Sequence, residues 1–233
     1  MSSLTLDVHE LEEGLARLRA LVRHPNAGLF GPRSHVWRVN RHAAVFMGAG
    51  RAALLQLAHP SVAHAIDQSS ALRQSPIRRF QNTFTNVFAM VFGDLDLALG
   101  ASRRVHAMHA CVAGALERDA ALWVHSTLWD TSVRVFELAV RRLSPAEKSA
   151  YYEETKRFAS LFGIPRAALP ADWPDFEAYN RRMWASPELE VTPAARDIAD
   201  LLFRPPLSAR PGSFFARTYQ VTQVRTYRDL LAV

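Results

Sequence analysis

Apolar and polar residues alternate along most of this chain with helical spacing, and the breaks between the periodic stretches fall at proline and glycine. Val8 to Val22 sets leucines among charges behind Asp7, a plausible N-cap, and predicts a short peripheral helix. Pro25-Asn26-Ala27-Gly28 breaks it, and Gly31-Pro32 marks a second turn. From Val36 to Ala58 the residues are apolar nearly all round, with Gly48 and Gly50 in the middle and Pro60 just beyond. Two glycines in such a helix cost about 1 kcal/mol each relative to alanine. Close approach of a neighbouring helix or of a flat ligand would offset that.

Pro76 opens the next periodic stretch and Gly93 closes it, the usual proline-first, glycine-last asymmetry of a helix. Phe80, Phe84, Phe88 and Phe92 recur every four residues as an apolar stripe, more in keeping with core than with a cofactor box. Arg79, Asn82 and Thr83 flank that stripe at i, i+3 and i+4 with a charge, an amide and a hydroxyl. Further helices are expected over residues 96–115, 122–142, 145–162, 175–185 and 193–203. The third of these opens on Ser144-Pro145-Ala146-Glu147, a capping-box sequence with proline at N1, and stops at Gly163-Ile164-Pro165. Only 214–224 leaves strand open. The predicted fold is all-α, an irregular multi-helix bundle.

Composition narrows the class. With 233 residues, 49% hydrophobic and 21% charged, the chain can bury one substantial core. The formal charge of +6 invites a nucleic-acid reading, but the basic residues are scattered singly or in pairs such as Arg103-Arg104 instead of forming a stripe, which argues against it. All but Lys148 and Lys156 among the 28 basic residues are arginine, a bias that a G+C-rich genome also produces. A single cysteine, Cys111, allows no internal disulfide framework. The amino-terminal residues lack the basic start and apolar run of a signal peptide, and Arg51, His59, Pro60 and His64 interrupt the longest apolar region, so a cytoplasmic protein with no transmembrane segment is expected.

Candidate chemistry centres on Arg103 to Val112, where His106 and His109 lie one turn apart on one helical face. Most histidines inside cores are hydrogen-bonded packing residues. A pair three apart without HExxH or CxxC is also a poor zinc signature. A single neutral imidazole from a helix is nonetheless what a haem iron takes. His125, between Trp123 and Trp129, and His59 in the sequence LAHP are read first as hydrogen-bonded core histidines.

Several blocks occur in an order that resembles the MpaB-type oxygenases and the rubber oxygenases called latex-clearing proteins, which share a catalytic domain. They are AGLFGP (27–32), WRVNRHAAVFMGAGRAALLQLAHPSVAHAI (37–66), SPIRRFQNTFTNVFAMVFGDLDLAL (75–99), RRVHAMHACVAG (103–114), LWVHSTLWDT (122–131) and FASLFGIP (158–165). The resemblance implies a helical domain at 25–205 enclosing haem b; the helix at 1–24 is expected to pack on it, and the tail at 206–233 departs from the family's usual ending. It implies dioxygen chemistry on an apolar, isoprenoid-like substrate. Carried over residue by residue, the family's axial histidine, and so the iron ligand, falls on His109. His106 becomes a wall or orienting residue, and Arg79 and Thr83 fall in the haem pocket as catalytic candidates. Asn82 stands where rubber oxygenases carry a lysine, and it cannot supply a cation. His125 and His59 match positions that recur in the family, which makes them cofactor-binding candidates, and His125 could donate a proton near the pocket. A connection shorter than usual between Gly114 and Leu122 is a further departure. Alternative readings are a haem-binding or gas-sensing protein without turnover and a haem-free helical relative. A homodimer is left open.

Overall fold

The computed structural model describes residues 8–68, 76–112 and 117–203, with 76–80 and 203 described in the backbone alone. Every regular element among these residues is helical: α1 (Val8–Leu21), α2 (His35–Asn40), α3 (Ala43–Phe46), α4 (Ala49–Leu57), α5 (Pro60–Gln68), α6 (Pro76–Phe92), α7 (Leu95–Ala110), α8 (Arg118–Ala139), α9 (Pro145–Ser160), α10 (Trp173–Trp184) and α11 (Pro193–Phe203), with single 3-10 turns at Pro25–Ala27 and Arg166–Ala168. The all-α expectation holds. No helix among the described residues is long and apolar enough to cross a membrane. The tail at 206–233, including the stretch 214–224 for which strand is open, lies outside the described residues.

The bundle is built on α8, whose 22 residues bury side chains on every face, from Trp123 and Trp129 to Ser126, Asp130 and Thr131. A helix buried all round belongs at the centre of a domain. Its partners are α4 on one side and α9 on the other. At the α4 crossing, a Cβ added to Gly48 would stand 2.6 Å from Thr131 Cγ2 and 2.8 Å from Val135 Cγ2. Close helix approach therefore accounts for this glycine. Arg51 locks the crossing, donating to Thr131 Oγ1 at 2.6 Å and pairing with Asp130 at 2.8 Å.

The apolar run expected as one helix over 36–58 is three, α2, α3 and α4. Where α2 ends, the Asn40 amide turns back to donate to Val36 O, a local side-chain bond of the kind that attends helix ends. An apolar pattern without a polar face carries no phase, so the chain can bend there without exposing polar groups. The following helix, α5, was not foreseen. Helix α1 is less peripheral than its pattern suggested. Leu11, Leu15 and Leu18 are buried in the main core, and Glu12 and Glu10 tie α1 to Arg103 of α7 and Arg118 of α8.

At α9 the capping follows the sequence, whereas the Asp7 cap expected for α1 lies outside the described residues. Ser144 and Glu147 form the expected reciprocal capping box at α9, and Asp94 and Asp172 cap α7 and α10. The α6–α7 connection is pinned by Gly28, at φ 74°, where a Cβ would meet the Gly93 carbonyl oxygen.

Candidate functional site

Helices α6 and α7 form an antiparallel hairpin about Gly93-Asp94. Arg104 Nη2 donates to Asn86 Oδ1 at 3.4 Å, and this register carries the Asn82–Thr83 turn of α6 alongside the last turn of α7, which holds His109. Arg79 is on the same helix nearer its start, but its side chain and that of Phe80 lie outside the described residues. Asn82 and Thr83 are exposed.

On α7 the buried residues Leu95, Ala98, Leu99, Ala101, Ser102, Val105 and His106 form one stripe facing the bundle. Ser102 Oγ donates to Leu161 O at 2.5 Å, fixing the stripe against the C-terminal end of α9. His106, one turn beyond Ser102, is 7% exposed, and its Nε2 is buried with no hydrogen-bond partner. His109 ends the stripe half-buried. The two imidazoles that spacing placed on one face thus differ in depth.

His125 lies fully buried in α8. Its Nδ1 accepts a hydrogen bond from Trp129 Nε1 at 3.0 Å, and its ring packs against Phe158 with centroids 6.3 Å apart. Burial pushes its pKa down to about 3, so the ring is neutral. Its Nε2 also lacks a partner. His59, after α4, has an unpartnered buried Nδ1, and desolvation lowers its pKa as well. The remaining unpartnered buried side-chain atom among the described residues is Nε of Arg118, in the first turn of α8. Acidic neighbours of His59 include Glu117 and Asp119, flanking that arginine. Of these nitrogens, those of His106 and Arg118 lie where α7 finishes and α8 begins, His59 lies beside the start of α8, and His125 lies two turns into it.

The phenylalanine stripe of α6 faces α2 and α3. Phe46 meets Phe88 at 4.8 Å and Phe84 at 5.3 Å, and Trp37 meets Phe92 edge-on at 4.9 Å. All these rings are only partly buried, so the stripe is an aromatic file open along part of its length. The spacing of the phenylalanines was visible in the sequence, but Trp37 and Phe46 as their partners were not. Trp129 as the partner of His125 was also missed, although four residues separate them and an i, i+4 pair is a recognisable signal. No group of three or more metal-ligating side chains occurs among the described residues, so a multi-residue metal cage is not formed by them.

The family described as ER-bound oxygenase mpaB/B'/Rubber oxygenase, catalytic domain, matches residues 37–231. That range takes in α2 to α11 and the residues beyond. No curated protein and no solved structure matches the chain.

Proposed function

Because the chain belongs to the MpaB/rubber oxygenase catalytic-domain family, we propose that it is a haem b-dependent oxygenase that uses dioxygen on an apolar, isoprenoid-like substrate. The observation that carries the reading is the buried, unpartnered Nε2 of His106 on α7, one turn from half-buried His109. A porphyrin iron takes one neutral imidazole nitrogen, and a helix with an imidazole nitrogen withheld from every protein partner fits that demand. A buried polar atom left without a partner costs about 1–3 kcal/mol, which a bound group would relieve. When bound, haem supplies the activation of dioxygen, and the protein supplies orientation and electrostatics.

In this reading His109 would hold the iron, following the family pattern. The depth of His106 favours a second assignment, in which His106 is the ligand and His109 part of the wall. Arg79 would hold a haem carboxylate, since a guanidinium offers a planar fork of donors. Thr83 donates to an oxygen at the substrate side. Asn82 brings an amide dipole where rubber oxygenases have a positive charge, so this chain orients polar atoms there without a cation. His59 and His125 belong to the cofactor-binding set, and the partly open file of Phe84 and Phe88 receives the apolar substrate.

The test is dioxygen uptake by haem-reconstituted protein offered polyprenyl substrates. Uptake that disappears in His109→Ala, or in His106→Ala under the second assignment, is the expected result. Haem binding with no uptake across such substrates would replace the oxygenase by a haem-binding or gas-sensing protein.

A further inference from the structure

Trp129 Nε1–H can only donate, so the His125 Nδ1 it reaches at 3.0 Å must carry a lone pair. The neutral ring therefore bears its proton on Nε2, and that N–H is buried without an acceptor. A phenylalanine in this slot, beside Trp129 and Phe158, would keep the aromatic contacts and avoid an unsatisfied donor. Retaining an imidazole in a single tautomer makes physical sense when the acceptor comes from outside the chain.

The surroundings indicate where that acceptor sits. His125 packs on Phe158, and Phe158 on Phe162 at 5.1 Å, at the C-terminal end of α9. The buried stripe of α7 reaches the same turn through Ser102 and Leu161, and His106, with its own unpartnered nitrogen, lies one turn beyond Ser102. Two unsatisfied imidazole nitrogens from different helices thus border one junction of α7, α8 and α9.

We propose that His125 is a positioning residue whose Nε2–H donates a hydrogen bond to an acceptor oxygen of the group held at the α7 histidines, with Trp129 fixing the tautomer that allows it. This rests on the haem reading above. The acceptor is either a haem carboxylate or the oxygen of a small ligand on the iron, and the two sources are separable. Wild type, His125→Phe and His125→Gln are titrated with haem b and with haem b dimethyl ester, and the C–O stretch of each carbon monoxide complex is recorded.

If the acceptor is a carboxylate, His125→Phe weakens haem b binding by about tenfold or more, the scale of a lost hydrogen bond to a charged group. The dimethyl ester then shows no such loss. If the acceptor is the iron ligand, affinity holds and the C–O stretch moves to higher frequency. In either case His125→Gln, which keeps an N–H donor, recovers part of the effect. A folded His125→Phe protein with unchanged affinity and unchanged stretch overturns the proposal and leaves the haem reading standing. Absence of haem uptake by wild type overturns both.

Discussion

The interior of this bundle treats buried polar groups in two different ways. Around α10 and its contacts with α8 and α9, the Ser126, Asn180, Tyr152 and Lys156 side chains are all answered. Ser126 donates to Asn180 at 2.6 Å, and the Asn180 amide returns to Phe176 O at 3.0 Å. Tyr152 donates to Pro170 O at 2.8 Å, and the buried Lys156 ammonium reaches Glu153 at 2.7 Å and Ala171 O at 2.6 Å. Around the end of α7 and the first two turns of α8, His59, His106, Arg118 and His125 each keep a buried nitrogen without a partner. Both regions are held by the same helix, α8. The first is organised for stability, whereas the second retains unsatisfied groups that stability alone would remove.

The comparison can be broken experimentally. Phe158 packs edge-on against Trp129 at 4.8 Å within the main core, and Phe158→Ala is expected to cost about 3–5 kcal/mol in chemical denaturation. A loss below about 1 kcal/mol would show that this core is not the stabilising region.

Acid should next reveal the histidine region. His125 is held near pKa 3 in the fold and returns to about 6.5 when the chain unfolds. Between those values the unfolded chain binds more protons, so this contribution is complete above about pH 6.5 and is lost as pH falls towards 3. The slope is about 1.4 kcal/mol per pH unit, or on the order of 2–3 kcal/mol between pH 7.5 and 4.5. His125→Phe should remove that part of the acid sensitivity in haem-free protein. An identical pH profile in the variant would contradict the burial argument.

A smaller effect sharpens the contrast directly. Asn180→Leu strands the Ser126 hydroxyl and should cost about 1–3 kcal/mol. His106→Leu removes a nitrogen that has no partner to strand, and in haem-free protein at neutral pH it should fall within about 0.5 kcal/mol of wild type or stabilise it. Equal losses in the two variants, measured by thermal and urea unfolding, would erase the distinction between the regions.

Much of this architecture can be read along the chain. The proline that opens α6, the glycine that follows it and the Ser144–Glu147 box all act through contacts within a few residues, so local sequence specifies them. The run from Val36 to Ala58 is less legible because its apolar residues surround the axis and give no phase, and it breaks twice, after Asn40 and after Phe46. The site divides similarly. Three-residue spacing put His106 and His109 on one face, but their different depths arise from the packing of α7 against α1 and α9. The i, i+4 spacing of His125 and Trp129 allowed a contact, but the fully buried opposite nitrogen is a property of the assembled bundle.

The central claim is that α7 supplies the iron ligand of a haem site, and a haem titration followed through the Soret band tests it most directly. Wild type is predicted to give a saturable band at one haem per chain, lost or shifted to a different ligation spectrum in His109→Ala, or in His106→Ala if the deeper ring is the ligand. The same spectrum and affinity in wild type and in both single variants would contradict the account, as would the absence of a saturable band in wild type.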